Sequence, residues 1–304
     1  MGSHGNKEDN ASELKSYFSL RKIADATSEY SDAKYVIFGV PFDNTSSFRR
    51  GSRLAPDAIR LAYDNLESYE FAYDVDFASL GMSDLGNLQV TEDAEEVVDY
   101  VQSVTKMILD DGKIPIMLGG EHSITTGIIR NLPDVNLVII DAHSDFRYEY
   151  FGNKFNHACV TRRALEILGP NRITSIGTRS VSLEEIRSPE WKDVTFIPAR
   201  EVNRKGIEFA IRQILAQDPE KIYLSIDMDG VDPSFAPGVG TPEPYGLNHT
   251  DVCDLIEAIS GRMVGMDIVE ITPVYDNGNT SMLAAKFIQN FIGAKETVRR
   301  KKEL

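Results

Sequence analysis

Short apolar runs alternate with amphipathic stretches along almost the whole chain. KYVIFGVPFD (34–43), KIPIMLGG (113–120), NLVIID (136–141), RITSIGTRS (172–180), DVTFIPAR (193–200), KIYLSIDMD (221–229) and RMVGMDIVEI (262–271) have the length and apolar content of buried strands, and Gly, Pro or Asp punctuates most of them. Between them, 55–66, 93–112, 123–132, 157–168, 207–217, 249–260 and 279–300 carry apolar residues at helical spacing. Local signals agree. Pro56 stands near a first turn, acidic residues open the 93–112 segment, Gly112 stops it, and Asn279 or Thr280 is available to cap the last helix.

Strands buried on both faces and separated by helices predict an α/β domain with a mostly parallel sheet of about eight strands and helices on both sides. No repeat, low-complexity segment or linker interrupts the pattern, so one domain over 13–304 is expected, preceded by a polar, disordered segment at 1–12. Periodicity alone leaves an open sheet and a closed barrel equally open.

Composition narrows the classes. With 304 residues and 42% hydrophobic content the chain can build a large core. No segment approaches the roughly 18 consecutive apolar residues of a membrane span, and the polar start has no signal core, which leads us to expect a cytoplasmic protein. The terminal KKEL reads as the basic end of a last helix rather than a retention signal. Cys159 and Cys253 are too few for a disulfide framework and suit a reducing compartment. A formal net charge of -15 argues against nucleic acid as a partner and weakly favours a cationic ligand.

The unusual residues stand where such strands end, which is where these folds gather their chemistry. Glu121 and His122 follow one strand; Asp141, His143 and Asp145 a second; Asp227, Asp229 and Asp232 a third; Asp267 and Glu270 close a fourth. Each alone is more often a turn, cap or structural residue than a ligand. Together they are different, because carboxylates gathered on one sheet edge repel one another and lose hydration at a cost of several kcal/mol per buried ion. A strong positive charge would make the cluster tolerable. The i, i+2, i+4 spacing of Asp141, His143 and Asp145 would put alternate side chains on one side of an extended turn. Two imidazoles and four carboxylates suit two divalent ions with bridging carboxylates. Oxygen-rich donors favour manganese over zinc, though spacing does not exclude iron, cobalt or zinc. A bimetallic site with ions about 3.5–4 Å apart activates water at neutral pH, which implies hydrolysis.

GGEHS, DAHSD and SIDMDGVDPSFAPGVGTPEPYG closely resemble the three signatures of the ureohydrolase family, which contains arginases and agmatinases, and PFDNTSSFRRGSRLAPDAIR resembles its N-terminal segment. The likeness runs from about residue 35 to 290. Glu121 stands where many members have Asp. The resemblance implies a three-layer α/β/α fold, homo-oligomers (trimers or hexamers) and two Mn2+ per chain. One ion would be held by His122, Asp141, Asp145 and Asp227, the other by Asp141, His143, Asp227 and Asp229. It further implies that Glu270 pairs with the substrate guanidinium, that His157 relays protons near the leaving amine, and that Asp145 orients the attacking oxygen and stabilises the tetrahedral intermediate. Asp232 is expected to shape its loop and Asp267 to be structural.

The substrate can be narrowed by the same comparison. Arginases carry an Asn two residues after the second signature and a Ser-Gly-Asn before the histidine; here those positions read Arg147 and FGN (151–153). DFRYEYFGNKFNHACVTRRA is more similar to agmatinases, archaeal ones in particular, so the resemblance implies hydrolysis of agmatine to putrescine and urea. Glu149 is expected either to face the far ammonium or, more plainly, to pair with Arg147 or Lys154. Other guanidino acids (arginine, guanidinobutyrate, guanidinopropionate) and formiminoglutamate are the alternatives within the family. A related deacetylase with one zinc and a catalytically silent homologue stand outside it.

Overall fold

A computed structural model describes Tyr17 and residues 22–303. The polar segment expected to be disordered, 1–12, lies outside these residues. Eight strands make one sheet: β1 (Tyr35–Gly39), β2 (Met82–Asn87), β3 (Ile114–Leu118), β4 (Asn136–Ile140), β5 (Ile173–Thr178), β6 (Thr195–Pro198), β7 (Ile222–Asp227) and β8 (Met263–Val269). Their order is β2-β1-β3-β8-β7-β4-β5-β6 and every pairing is parallel. The sheet is open, which decides the question that periodicity left. The main helices are α1 (Ala55–Tyr63), α2 (Ala94–Asp110), α3 (Thr125–Ile129), α4 (Val160–Leu168), α5 (Ala199–Lys205), α6 (Ile207–Ala216), α7 (His249–Ile259) and α8 (Asn279–Glu303).

Strand order and handedness together place the helices. Parallel strands are joined by right-handed crossovers, so connections running in opposite directions along the sheet lie on opposite faces. Moves toward the β2 edge carry α1, α6 and α7, joined by α8; moves toward the β6 edge carry α2, α3 and α4. Each face has its own core. Ile59, Ile214, Leu255 and Phe287 pack on one, and Val101, Ile128 and Ala164 on the other. The result is the three-layer α/β/α arrangement. No helix of the described residues is long and apolar enough to cross a membrane.

Three local features depart from the sequence pattern. β2, MSDLGN, has no apolar run: Met82 and Leu85 are its only apolar residues, and its buried Asp84 takes a bidentate pair from Arg60 of α1, with both side chains sealed from solvent. The last helix is capped not by Asn279 or Thr280 but by Asp276, whose carboxylate accepts from the backbone N–H groups of Thr280 and Ser281. The expected helix at 157–168 begins as a 3-10 turn over His157–Cys159, with Asn156 accepting from Ala158 N.

Candidate metal centre and cleft

The strand order brings β3, β8, β7 and β4 side by side, and all four acidic strand ends open on the same edge. Registers put their tips level: Ile140 pairs with Ile226, so Asp141 sits beside Asp227, and Val269 pairs with Asp227, so Glu270 follows immediately. β7 and β4 send their next helices to opposite faces, as do β1 and β3, which leaves the crevice typical of a topological switch point. Close backbone approach completes it. A Cβ on Gly120 would lie 1.9 Å from Phe42 O, and one on Gly230 would lie 2.7 Å from Asp141 N. Both positions therefore exclude any other residue.

At the centre, Nδ1 of His122 lies 3.2 Å from Asp141 Oδ2, 3.3 Å from Asp227 Oδ2 and 3.5 Å from Asp145 Oδ2. Alongside, Nδ1 of His143 lies 3.0 Å from Asp229 Oδ2 and 3.6 Å from Asp141 Oδ1. Ligand atoms of His122, Asp141 and Asp145 fall within 4.8 Å of one another, as do those of Asp141, His143 and Asp229, so Asp141 belongs to both groups. The structure thus brings together the six residues expected to bind metal.

It does so by a route the spacing did not predict. Asp145 is not on an extended turn: its backbone is left-handed, at φ 46°. Such a conformation is strained for a residue with a Cβ and must be held by its surroundings. Glu185 accepts from Ser144 Oγ (2.7 Å) and Phe146 N (2.9 Å) on either side of it, and is itself fixed by a capping box with Ser182. Glu270 is also left-handed, at φ 64°, and its Oε1 accepts from His122 N at 2.7 Å.

The electrostatics call for a cation. Burial and the nearby Asp141 push the Asp145 carboxyl up to about 7, and burial with Asp229 and Asp141 pushes Asp227 well above the carboxylate range. Burial works against protonated His122, yet Asp141, Asp145 and Asp227 hold its imidazole well above the usual value. His122 Nδ1 and Asp141 Oδ2 face each other while buried and without a hydrogen-bond partner. Buried polar atoms are rarely left so, because each costs about 1–3 kcal/mol. A hard divalent ion, accepting one imidazole nitrogen and several carboxylate oxygens, fits this donor set.

The surroundings orient the donors. Ser225 Oγ lies 3.0 Å from His122 Nε2 and donates to Asp267 Oδ1 at 2.6 Å; Thr125 Oγ1 donates to the other Asp267 oxygen. Asp267 therefore supports His122 from inside the sheet. Thr241 Oγ1 donates to Asp229 Oδ2, and Arg179 donates to the carbonyls of Asp229, Gly230 and Glu243, clamping the loop after β7. Asp232 accepts from Ser234 N and Gly246 N and shapes that loop.

A cleft of about 270 Å³ opens onto the cluster, lined by Ser47, Arg147, Tyr150, His157, Ser180, Thr241 and Glu270 among others. Burial, reinforced by neighbouring His143, pulls the His157 imidazole down to about 4, so it is neutral near pH 7. Arg147 pairs with Glu184 at 3.3 Å and stacks on Tyr150, and Lys154 lies over the Tyr148 ring. Arg147 therefore does not take Glu149 as its partner, because its guanidinium turns toward the short helix Leu183–Ile186. Ser225, Thr241, Glu185, Thr45 and Ser47 were not singled out in sequence. Only Thr45 and Ser47 carried a signal, as polar residues directly after an apolar strand.

The arginase family model matches residues 33–293. The chain belongs to the arginase family. It is a hydrolase of linear amidines. The crystal structure of agmatine ureohydrolase of Thermoplasma volcanium superposes with a TM-score of 0.91 at 59% identity, covering 95% of this chain and 99% of that one. An agmatinase of Pyrococcus horikoshii is 36% identical over 271 residues, covering 88% of this chain and 94% of the relative. An N(1)-aminopropylagmatine ureohydrolase of Thermococcus kodakarensis is 36% identical over 271 residues, covering 88% and 92%.

Proposed function

We propose that this chain is a dinuclear manganese agmatinase, cleaving agmatine to putrescine and urea. The observation that carries the reading is the likeness, at 59% identity over nearly both chains, to the agmatine ureohydrolase of Thermoplasma volcanium. His122, Asp141, Asp145 and Asp227 would hold one ion and Asp141, His143, Asp227 and Asp229 the other, with Asp141 and Asp227 shared. The ions would supply Lewis acidity and an activated water at neutral pH.

The chain's own residues do the rest. Glu270, buried at the cleft floor, accepts from the guanidinium N–H groups and sets the planar carbon over the cluster. Asp145, held in its strained turn, orients the attacking oxygen and takes its proton. As water adds, the bond from carbon to the alkyl-bearing nitrogen breaks and that nitrogen takes up a proton. Neutral His157, across the cleft, relays protons at the departing amine. Arg147, which lines the cleft and is already paired with Glu184, stands where arginases carry an Asn.

N(1)-aminopropylagmatine is the second reading, supported by the Thermococcus kodakarensis relative. Urea release measured across agmatine, aminopropylagmatine, arginine and the guanidino acids, after manganese loading, separates them. Agmatine is expected to give the highest kcat/KM; no urea from agmatine overturns the proposal.

A further inference from the structure

Glu121 has no place in the chemistry above, yet it is fully buried beside the cluster and its carboxylate is aimed at the loop after β1. Oε2 accepts from Thr45 N at 2.7 Å and Oε1 lies 2.5 Å from Thr45 Oγ1 and 2.7 Å from Ser123 Oγ. On its far side Thr45 Oγ1 meets His157 twice, at 3.0 Å from the backbone N–H and 3.1 Å from ring Nδ1. We propose that Glu121, acting through the Thr45 hydroxyl, is a positioning residue that fixes His157 in its Nδ1–H tautomer. This rests on the functional reading only for what His157 then does.

The valences decide the direction of each bond. A hydroxyl has one proton and two lone pairs. Two oxygens 2.5 Å apart need a proton between them, and a carboxylate has none to give, so Thr45 donates to Glu121. Its lone pairs are then left for His157, one accepting the backbone N–H and the other accepting from Nδ1. A ring nitrogen that donates to Thr45 must carry the proton. Nε2 therefore bears the lone pair, facing the cleft, with Ser47 Oγ 3.4 Å away as the remaining hydroxyl that can donate to it. Rotating the ring by half a turn would set a C–H against Thr45, and Tyr150 packs edge-on against the same ring. A neutral imidazole that is to pick up a proton in the cleft and pass it to the departing amine needs its lone pair on Nε2; the other tautomer presents N–H to the cleft.

The test reads the tautomer directly. In the full-length protein with 15N-labelled histidine and diamagnetic zinc in the site, the ring signals of His157 are assigned by their loss in His157→Asn. The wild type is expected to show a protonated Nδ1 and a lone-pair Nε2. Thr45→Ser should keep that pattern and restore kcat to near wild type. Thr45→Val removes the acceptor and should move the proton to Nε2 in part or whole, with kcat for the preferred guanidine falling on the order of ten- to a hundredfold and KM little changed. Glu121→Gln should invert the tautomer, because its carbonyl must stay on Thr45 N and its NH₂ then donates to Oγ1, freeing the hydroxyl to donate to Nδ1. An unchanged His157 spectrum in both Thr45→Val and Glu121→Gln, or an unchanged kcat in Thr45→Val, overturns the inference. Failure of the wild type to turn over any guanidine overturns the function proposed above, while the spectrum still decides the tautomer.

Discussion

Ser225 donates its hydroxyl proton to Asp267 at 2.6 Å, with both side chains fully buried on neighbouring strands of the sheet. That single proton leaves Ser225 Oγ able only to accept from His122 Nε2, so when His122 is neutral its lone pair is on Nδ1, facing three carboxylates. A strand residue two positions before Asp227 thus readies an imidazole in the turn after β3 for a cation. Ser225→Ala should weaken metal binding about 10–100-fold, the usual effect of losing a partner behind a metal-binding histidine. Titrating manganese into metal-free protein and variant measures it; equal affinities would refute the role.

Asp145 is held at φ 46° with its carboxylate at the cluster, so removing its charge should cost far more than its volume. Asp145→Asn is expected to lower kcat by at least about a hundredfold if the carboxylate handles a proton in the reaction. Full activity in manganese-loaded variant would remove that assignment.

Chelation should leave the carboxylates facing one another without compensation. At a hundredfold excess over Kd each bound ion stabilises the fold by about 2.7 kcal/mol. The melting temperature should therefore fall by several degrees in chelator and recover on adding manganese. A melting curve indifferent to both would argue against a resident divalent ion.

Arg60 and Asp84 tie α1 to the β2 edge strand by two hydrogen bonds, at 2.8 and 2.9 Å. Removing one partner strands a buried charge, so Asp84→Asn is expected to cost about 3–5 kcal/mol in denaturant unfolding. Replacing both by apolar residues of similar volume should cost less, which a double-mutant cycle would reveal.

His157 gives a pH dependence with a definite sign. Its imidazole titrates near 4 when folded, because burial and neighbouring His143 disfavour the cation, and near 6.5 when unfolded. Between those values the unfolded chain binds the extra proton, so stability rises with pH. Acidification from pH 6.5 toward 4 should cost the wild type up to roughly 3 kcal/mol more than His157→Asn. Parallel denaturation curves for the two proteins across that range would contradict it.

The chain by itself determined the layers and the chemistry of the edge. Val- and Ile-rich runs read as strands because burial on both faces leaves no alternation to obscure, and Asp141, Asp227 and Glu270 stood out because a carboxylate at the end of such a run needs a reason. β2 was not legible: Met82 and Leu85 are its only apolar residues, its buried Asp84 is balanced by Arg60, and one-dimensional hydrophobicity does not register a contact across 24 residues. Asp276 escaped as a cap for a related reason, since a loop can lay any nearby carboxylate over a helix start. Periodicity left the sheet open or closed, and only the tertiary structure decided that β3, β8, β7 and β4 are neighbours and that Asp145 reaches the cluster through a left-handed kink instead of an extended turn. It alone also joined Glu121 to Thr45 and His157. Such pairings depend on crossover direction, register and the valence of single hydroxyl groups, and those are fixed in space between residues that lie far apart along the chain.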